Sequence, residues 1–153
     1  MKRLALTLAI TAVVLLPSAI AFAHCEVPCG IYGDEMRFHT IDEHIATIAK
    51  AIDQIAELSA AESPNYNQIV RWVNTKETHA TEIQHIVSQY FLTQRIKAGK
   101  DNYAAHLEMC HSLLTLSMKC KQSLDKGNAT KLKEAAEAFR ISYLGPEAGM
   151  HEH

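Results

Sequence analysis

Apolar residues recur along this chain at helical intervals. Over residues 38–58, Ile41, Ile45, Ile48, Ile52 and Ile55 follow one another at steps of four, three, four and three. That spacing lays one apolar stripe along a helix and leaves Lys50, Asp53 and Glu57 off it. Ser63-Pro64-Asn65 interrupts the pattern and suits a new helix start. A second stripe contains Ile69, Trp72, Val73, Ala80, Ile83, Ile86, Val87 and Tyr90. Neither Pro nor Gly occurs in it before Gly99, which predicts one helix of about eight turns. Gly99 and Asp101 read as a stop and a fresh N-cap. Tyr103, Leu107, Cys110, Leu114, Met118 and Leu124 form the third stripe, with Gly127-Asn128 as the next turn. Leu132, Ala135, Ala136, Phe139 and Tyr143 form the last, which Gly145-Pro146 ends. No segment shows a sustained period-two alternation. The pattern predicts an all-α protein, an antiparallel four-helix bundle over residues 38–145, with 146–153 as a flexible tail.

The first 23 residues read differently. Lys2 and Arg3 give a positive start, residues 4–16 carry no charge, and Ala21-Phe22-Ala23 has the small-x-small pattern that signal peptidase accepts. Residues 4–23 are uncharged throughout, long enough for an uncleaved anchor, but Pro17 and the Ala-Phe-Ala end favour cleavage. Arg3 has no arginine beside it, which argues against a twin-arginine route. The expected destination is an oxidising compartment, the periplasm or the medium. The leader holds two of the 15 basic residues and none of the 17 acidic ones, so the mature chain has a net charge of −4. That balance excludes general nucleic-acid binding. The composition is that of an ordinary globular domain, and no later segment has the apolar length of a membrane span.

Cleavage after Ala23 makes His24 the first residue, with a free α-amine beside its imidazole. Cys25 and Cys29 add two sulfurs within five residues. Pro28 disfavours a continuing helix and Gly30 permits unusual backbone angles, so residues 24–33 are expected to fold back as a compact hook. The amine, the next peptide nitrogen and the Cys25 sulfur can close adjacent chelate rings around one ion. Mixed nitrogen and sulfur donors in a plane favour Ni(II) or copper over the tetrahedral Zn(II). On spacing alone, a disulfide between Cys25 and Cys29 is an equal reading in an exported chain.

The run His-Cys-x-x-Pro-Cys-Gly-x-Tyr at residues 24–32, which fixes six of nine positions, resembles the nickel-binding hook of nickel-containing superoxide dismutases. The rest of the chain resembles that family in class, a short helical bundle following the hook. The resemblance implies one nickel ion per subunit, held by the His24 amine, the Cys25 amide nitrogen and the Cys25 and Cys29 thiolates. The His24 imidazole would be an axial ligand to the oxidised metal. It further implies that Pro28 shapes the loop and that Tyr32 stands by the open face, limiting access and ordering water. His24, Cys25, Cys29 and Tyr32 would be the catalytic residues. Glu26 stands where the family more often has Asp. A carboxylate and an arginine from the bundle orient the axial imidazole in family members; His39 and His79 fall near the corresponding segments here. The implied activity is disproportionation of superoxide into dioxygen and hydrogen peroxide by Ni(III)/Ni(II) cycling. The implied assembly is a homohexamer. The alternative is a non-catalytic, exported metal-binding or thiol–disulfide helical protein.

The remaining candidates have plainer readings. Cys110 lies on an apolar stripe and suits core packing, whereas Cys120 lies off it. Ten residues of helix, about 15 Å, separate the two and forbid a bridge between them. His39, His44, His79, His85, His106 and His111 are scattered over the helices and read as solvated or hydrogen-bonded side chains. Trp72 and the isoleucines read as core, and residues 131–137 as a solvated face.

Overall fold

The computed structural model describes residues 33–146. The expected leader at 1–23, hook residues 24–32 and tail residues 147–153 lie outside the described residues. Four helices follow in order: α1 Glu35–Ala60, α2 Tyr66–His85, α3 Tyr103–Gln122 and α4 Lys126–Leu144. α2 runs on without a break into a π-helical stretch, Ile86–Arg95. The described residues contain no strand.

Each helix packs on two neighbours in a closed ring: α1 on α2 and α4, and α3 on α2 and α4. Side-chain pairs fix the antiparallel directions. Arg140 of α4 meets Asp42 near the start of α1, while Lys126 at the start of α4 meets Asp53 further along α1. His106 of α3 likewise meets Ser142 of α4 through its Nε2 at 3.1 Å. The interior is built from the α1 isoleucines, Ala80, Ile83 and Val87 of the second helix, Leu113, Leu132 and a cluster of rings. Phe38, Phe91, Phe139 and Tyr143 pack with centroids 4.9–5.9 Å apart, mostly tilted or edge-on, the arrangements that ring quadrupoles favour.

Five local expectations are corrected. The second helix ends at Arg95, before Gly99, and the N-cap of α3 is Asn102 in the left-handed region (φ 54°), not Asp101. Gly127 and Asn128 lie inside the first turn of α4, where the Asp125 carboxylate caps the Gly127 N–H at 2.9 Å; the cap made Gly there tolerable. The buried face of α3 is Cys110, Leu113, Ser117 and Cys120, while Leu107 and Met118 are exposed. The apolar residues of α3 surround it on several sides, so its stripe was ambiguous in phase. Trp72 is half-buried at the edge of the bundle, with the Lys50 ammonium 6.0 Å from its ring.

One buried cation explains how α3 ends. Lys76 is 3% exposed. Its ammonium donates to the carbonyls of Cys120 (2.7 Å) and Lys121 (2.5 Å). Carbonyls in the last turn of a helix have no partner within it, and a cation there is favoured by the helix dipole.

Candidate metal centre

The hook joins the bundle at Gly33 and Asp34. Gly33 has φ +77°, a conformation that favours glycine, and turns the chain into α1. Asp34 sits at the N-cap position but makes no side-chain cap to α1. Its carboxylate instead accepts hydrogen bonds from the hydroxyls of Tyr90 (2.5 Å) and Tyr143 (2.7 Å) and an ion pair from Arg95 (2.7 Å). Burial pushes the Asp34 carboxyl up, but the two tyrosines and the Arg95 charge outweigh it, and the net shift is downward. Burial, and then the Asp34 carboxylate, raise Tyr90 and Tyr143 against the opposing Arg95 charge, so both remain protonated donors.

The π-helical stretch makes this cluster possible. Arg95 donates to the Tyr90 hydroxyl at 2.9 Å. Residues five apart point about 140° from one another on an α-helix, but a bond to the fifth residue back sets them nearly one above the other. The Ile96 N–H reaches back to the Phe91 carbonyl in that way, at 2.9 Å. Arg37 and Arg95 carry their guanidinium carbons 4.7 and 5.1 Å from the Tyr90 ring centroid. Two positive charges therefore flank the ring that holds the residue after the hook. The Arg95 Nε is buried with no hydrogen-bond partner among the described residues.

His24, Cys25, Cys29 and Tyr32 lie outside the described residues, but the bundle constrains which thiols can serve a metal. Cys110 and Cys120 are free and fully buried. Burial pushes the Cys110 thiol up to about 12 and raises that of Cys120 despite the Lys76 charge nearby. Thiolate, not thiol, binds metal. Cys110 and Cys120, the two cysteines among the described residues, are therefore held in the bundle interior as protonated thiols. No group of three or more His, Cys, Asp or Glu side chains among the described residues is placed to hold an ion. Soft sulfur with amine and imidazole nitrogen fits nickel, and the sequence carries those donor types at His24, Cys25 and Cys29, which lie outside the described residues.

The scattered histidines have distinct fates. His39 and His111 are exposed. His106 is bonded to Ser142 and packed on Phe139 and Tyr143. His79 meets His44, Nδ1 to Nδ1, at 2.8 Å. The sequence reading missed that pair and the Asp34 cluster alike, because each joins residues far apart in the chain.

An all-α bundle headed by a cysteine- and histidine-bearing segment defines a small helical metalloprotein. The family model of nickel-containing superoxide dismutase matches residues 19–145, most of the chain. The chain belongs to that family: it is a nickel-dependent oxidoreductase that disproportionates superoxide. The match is to the enzyme, and nothing supports the alternative of a non-catalytic metal-binding or thiol–disulfide protein. Neither the curated proteins nor the solved structures contain a match to it.

Proposed function

We propose that the working enzyme begins at His24 and holds one nickel ion per subunit at residues 24–29. The ligands are the His24 amine and imidazole, the Cys25 amide nitrogen, and the thiolates of Cys25 and Cys29. Bound in this set, nickel supplies the alternating one-electron exchange that superoxide disproportionation needs. The chain's own residues do the rest. Gly33 and Asp34 fix the end of the hook to the bundle through Tyr90, Tyr143 and Arg95. Tyr32, two residues before Asp34, stands over the open face and limits what reaches it. Arg37 and Arg95 beside Tyr90 offer local positive potential for an anionic substrate, which the acidic chain as a whole does not. The observation that carries this reading is the family match over residues 19–145, and the sealing of Cys110 and Cys120 in the interior supports Cys25 and Cys29 as the thiolate donors.

Processing, export and assembly belong to the same proposal. Signal peptidase cuts after Ala23, because an amine liberated there is a ligand, and the mature protein acts in the periplasm or the medium. Among the described residues no helix is long and apolar enough to cross a membrane. A homohexamer gives the hook a surface to lie against, since so short a segment does not offset its own ordering entropy. Met36 beside the hook root, Tyr66 and Val70 on α2, and Ile141 and Leu144 on α4 are exposed apolar residues suited to such contacts.

Mass analysis of the native N-terminal peptide, with nickel content and sedimentation of the same sample, tests the proposal. The expected result is a peptide starting at His24, one nickel per subunit and a hexamer. A nickel-loaded, fully active protein retaining Ala23 would overturn the ligand assignment, and a fully active monomer would overturn the assembly.

A further inference from the structure

We propose that His44 and His79 form a second metal site, made of bundle residues alone, that takes one divalent transition-metal cation, Ni(II) or Cu(II), between α1 and α2. The two Nδ1 atoms face each other at 2.8 Å, with the ring planes 72° apart and the centroids 4.9 Å apart. The residues lie 35 positions apart on two packed helices, so the backbone, not a flexible loop, sets their approach. Much of the ordering that two imidazoles need in order to share an ion is already present in the fold.

At this separation both nitrogens cannot carry a proton, so at least one lone pair faces the gap. Neutral imidazole is the metal-binding form, and an ion takes the place of the shared proton. The spacing is compatible with one shared ion. Two nitrogens about 2.0 Å from one metal stand about 2.8 Å apart at a right-angled centre and about 3.3 Å apart at a tetrahedral one. The observed distance is that of a hydrogen bond between the two rings, and it lies close to the right-angled value open to planar or octahedral Ni(II) and Cu(II). A modest rotation of each ring turns the two lone pairs from one another onto a common point.

The surroundings suit a dication. Glu82 lies three residues after His79, on the same face of α2, and Glu43 precedes His44. Burial and the neighbouring His79 hold the His44 imidazole below its ordinary value, which keeps it in the neutral, metal-binding form, while Glu82 and Glu43 partly offset them. Both are exposed and both rings are half-buried, so an ion has a path from solvent. Among the described residues no third His, Cys, Asp or Glu side chain converges with the pair. Water therefore fills the remaining positions, and the ion is exchangeable, unlike one held by thiolates. The proposal uses no residue of the hook and stands or falls separately from the reading of residues 24–29.

The test is calorimetric titration of the nickel-loaded enzyme with NiCl2, with dialysis and elemental analysis to count ions. One further nickel per subunit is expected. His44→Gln and His79→Gln should each lose it and keep the nickel bound by cysteine, while a His151→Ala/His153→Ala variant should keep both. Circular dichroism establishes that each variant remains helical. Copper added to the unaltered nickel-loaded enzyme should give an electron paramagnetic resonance spectrum with two equatorial imidazole nitrogens, a measurement that needs no variant. No extra equivalent, an extra equivalent that survives both single histidine variants, or a copper spectrum without paired imidazole nitrogens would overturn the site.

Discussion

Tyr143, at the end of α4, donates its hydroxyl proton to the carboxylate of Asp34, the residue before α1, at 2.7 Å and across 109 positions of sequence. That bond ties the last helix to the residue that begins the first. Removing it should cost stability without emptying the core, because the ring still packs among Phe38, Phe91 and Phe139. Tyr143→Phe is expected to lower unfolding free energy by about 1.5–3 kcal/mol, the usual range for a hydrogen bond to a charged group. Urea denaturation of the two proteins measures the difference; equal midpoints and slopes would show the bond to be idle.

The downward shift of Asp34 gives a pH dependence with a definite sign. The folded protein holds the ionised carboxylate more tightly than the unfolded chain, whose value is near 3.8. Its contribution is fully present above that value and is lost as pH falls through the lower folded value. Thermal midpoints should therefore drop on acidification below about pH 4. Asp34→Asn should be less stable at pH 7 and show a shallower acid decline. An unchanged acid limb in Asp34→Asn would assign acid unfolding to other carboxylates.

The helical class and the α1 face could be read from the chain, since the isoleucine steps of three and four allow one buried side and the bundle uses it. α3 was not readable to the same depth. Leu107, Leu114, Met118 and Leu124 compete with Cys110, Leu113 and Cys120 for the interior, and only packing against α2 and α4 decides between them. The π-helical stretch was hidden because a 3.6-residue period cannot mark contacts five residues apart, such as Tyr90 with Arg95. At the candidate centre, residue identity and spacing at 24–32 carried the resemblance to the family whose model matches residues 19–145. The anchor of Asp34 with Tyr90, Arg95 and Tyr143 rests on tertiary neighbours that no local pattern encodes.

Lys76 offers a test of buried charge. Its ammonium satisfies two carbonyls at the end of α3 and is itself hidden from water. Lys76→Ala removes the donor, leaves those acceptors in a low-polarity setting and opens a cavity. A loss of about 2–4 kcal/mol is expected from the combination. Lys76→Met keeps most of the volume and should lose less. Chemical denaturation of the pair separates volume from hydrogen bonding; equal losses would mean that packing plays no part.

Cysteines inside and outside the bundle should respond in opposite ways. Cys110 is fully buried, with its thiol pushed up to about 12. Cys110→Ser puts a hydroxyl in an apolar setting and should cost about 1–3 kcal/mol of stability while leaving nickel content unchanged. Cys25→Ser and Cys29→Ser should leave the bundle's unfolding midpoint nearly unaltered. Each should abolish nickel retention and superoxide turnover, because a serine hydroxyl stays protonated and is a hard, weak donor to nickel. His24→Gln keeps the terminal amine and should retain part of the nickel but little turnover, and Tyr32→Phe should keep nickel and change the rate moderately. Nickel analysis and denaturation on the same five preparations give the crossed pattern. Near-normal turnover per nickel in either hook serine variant would remove that cysteine from the ligand set.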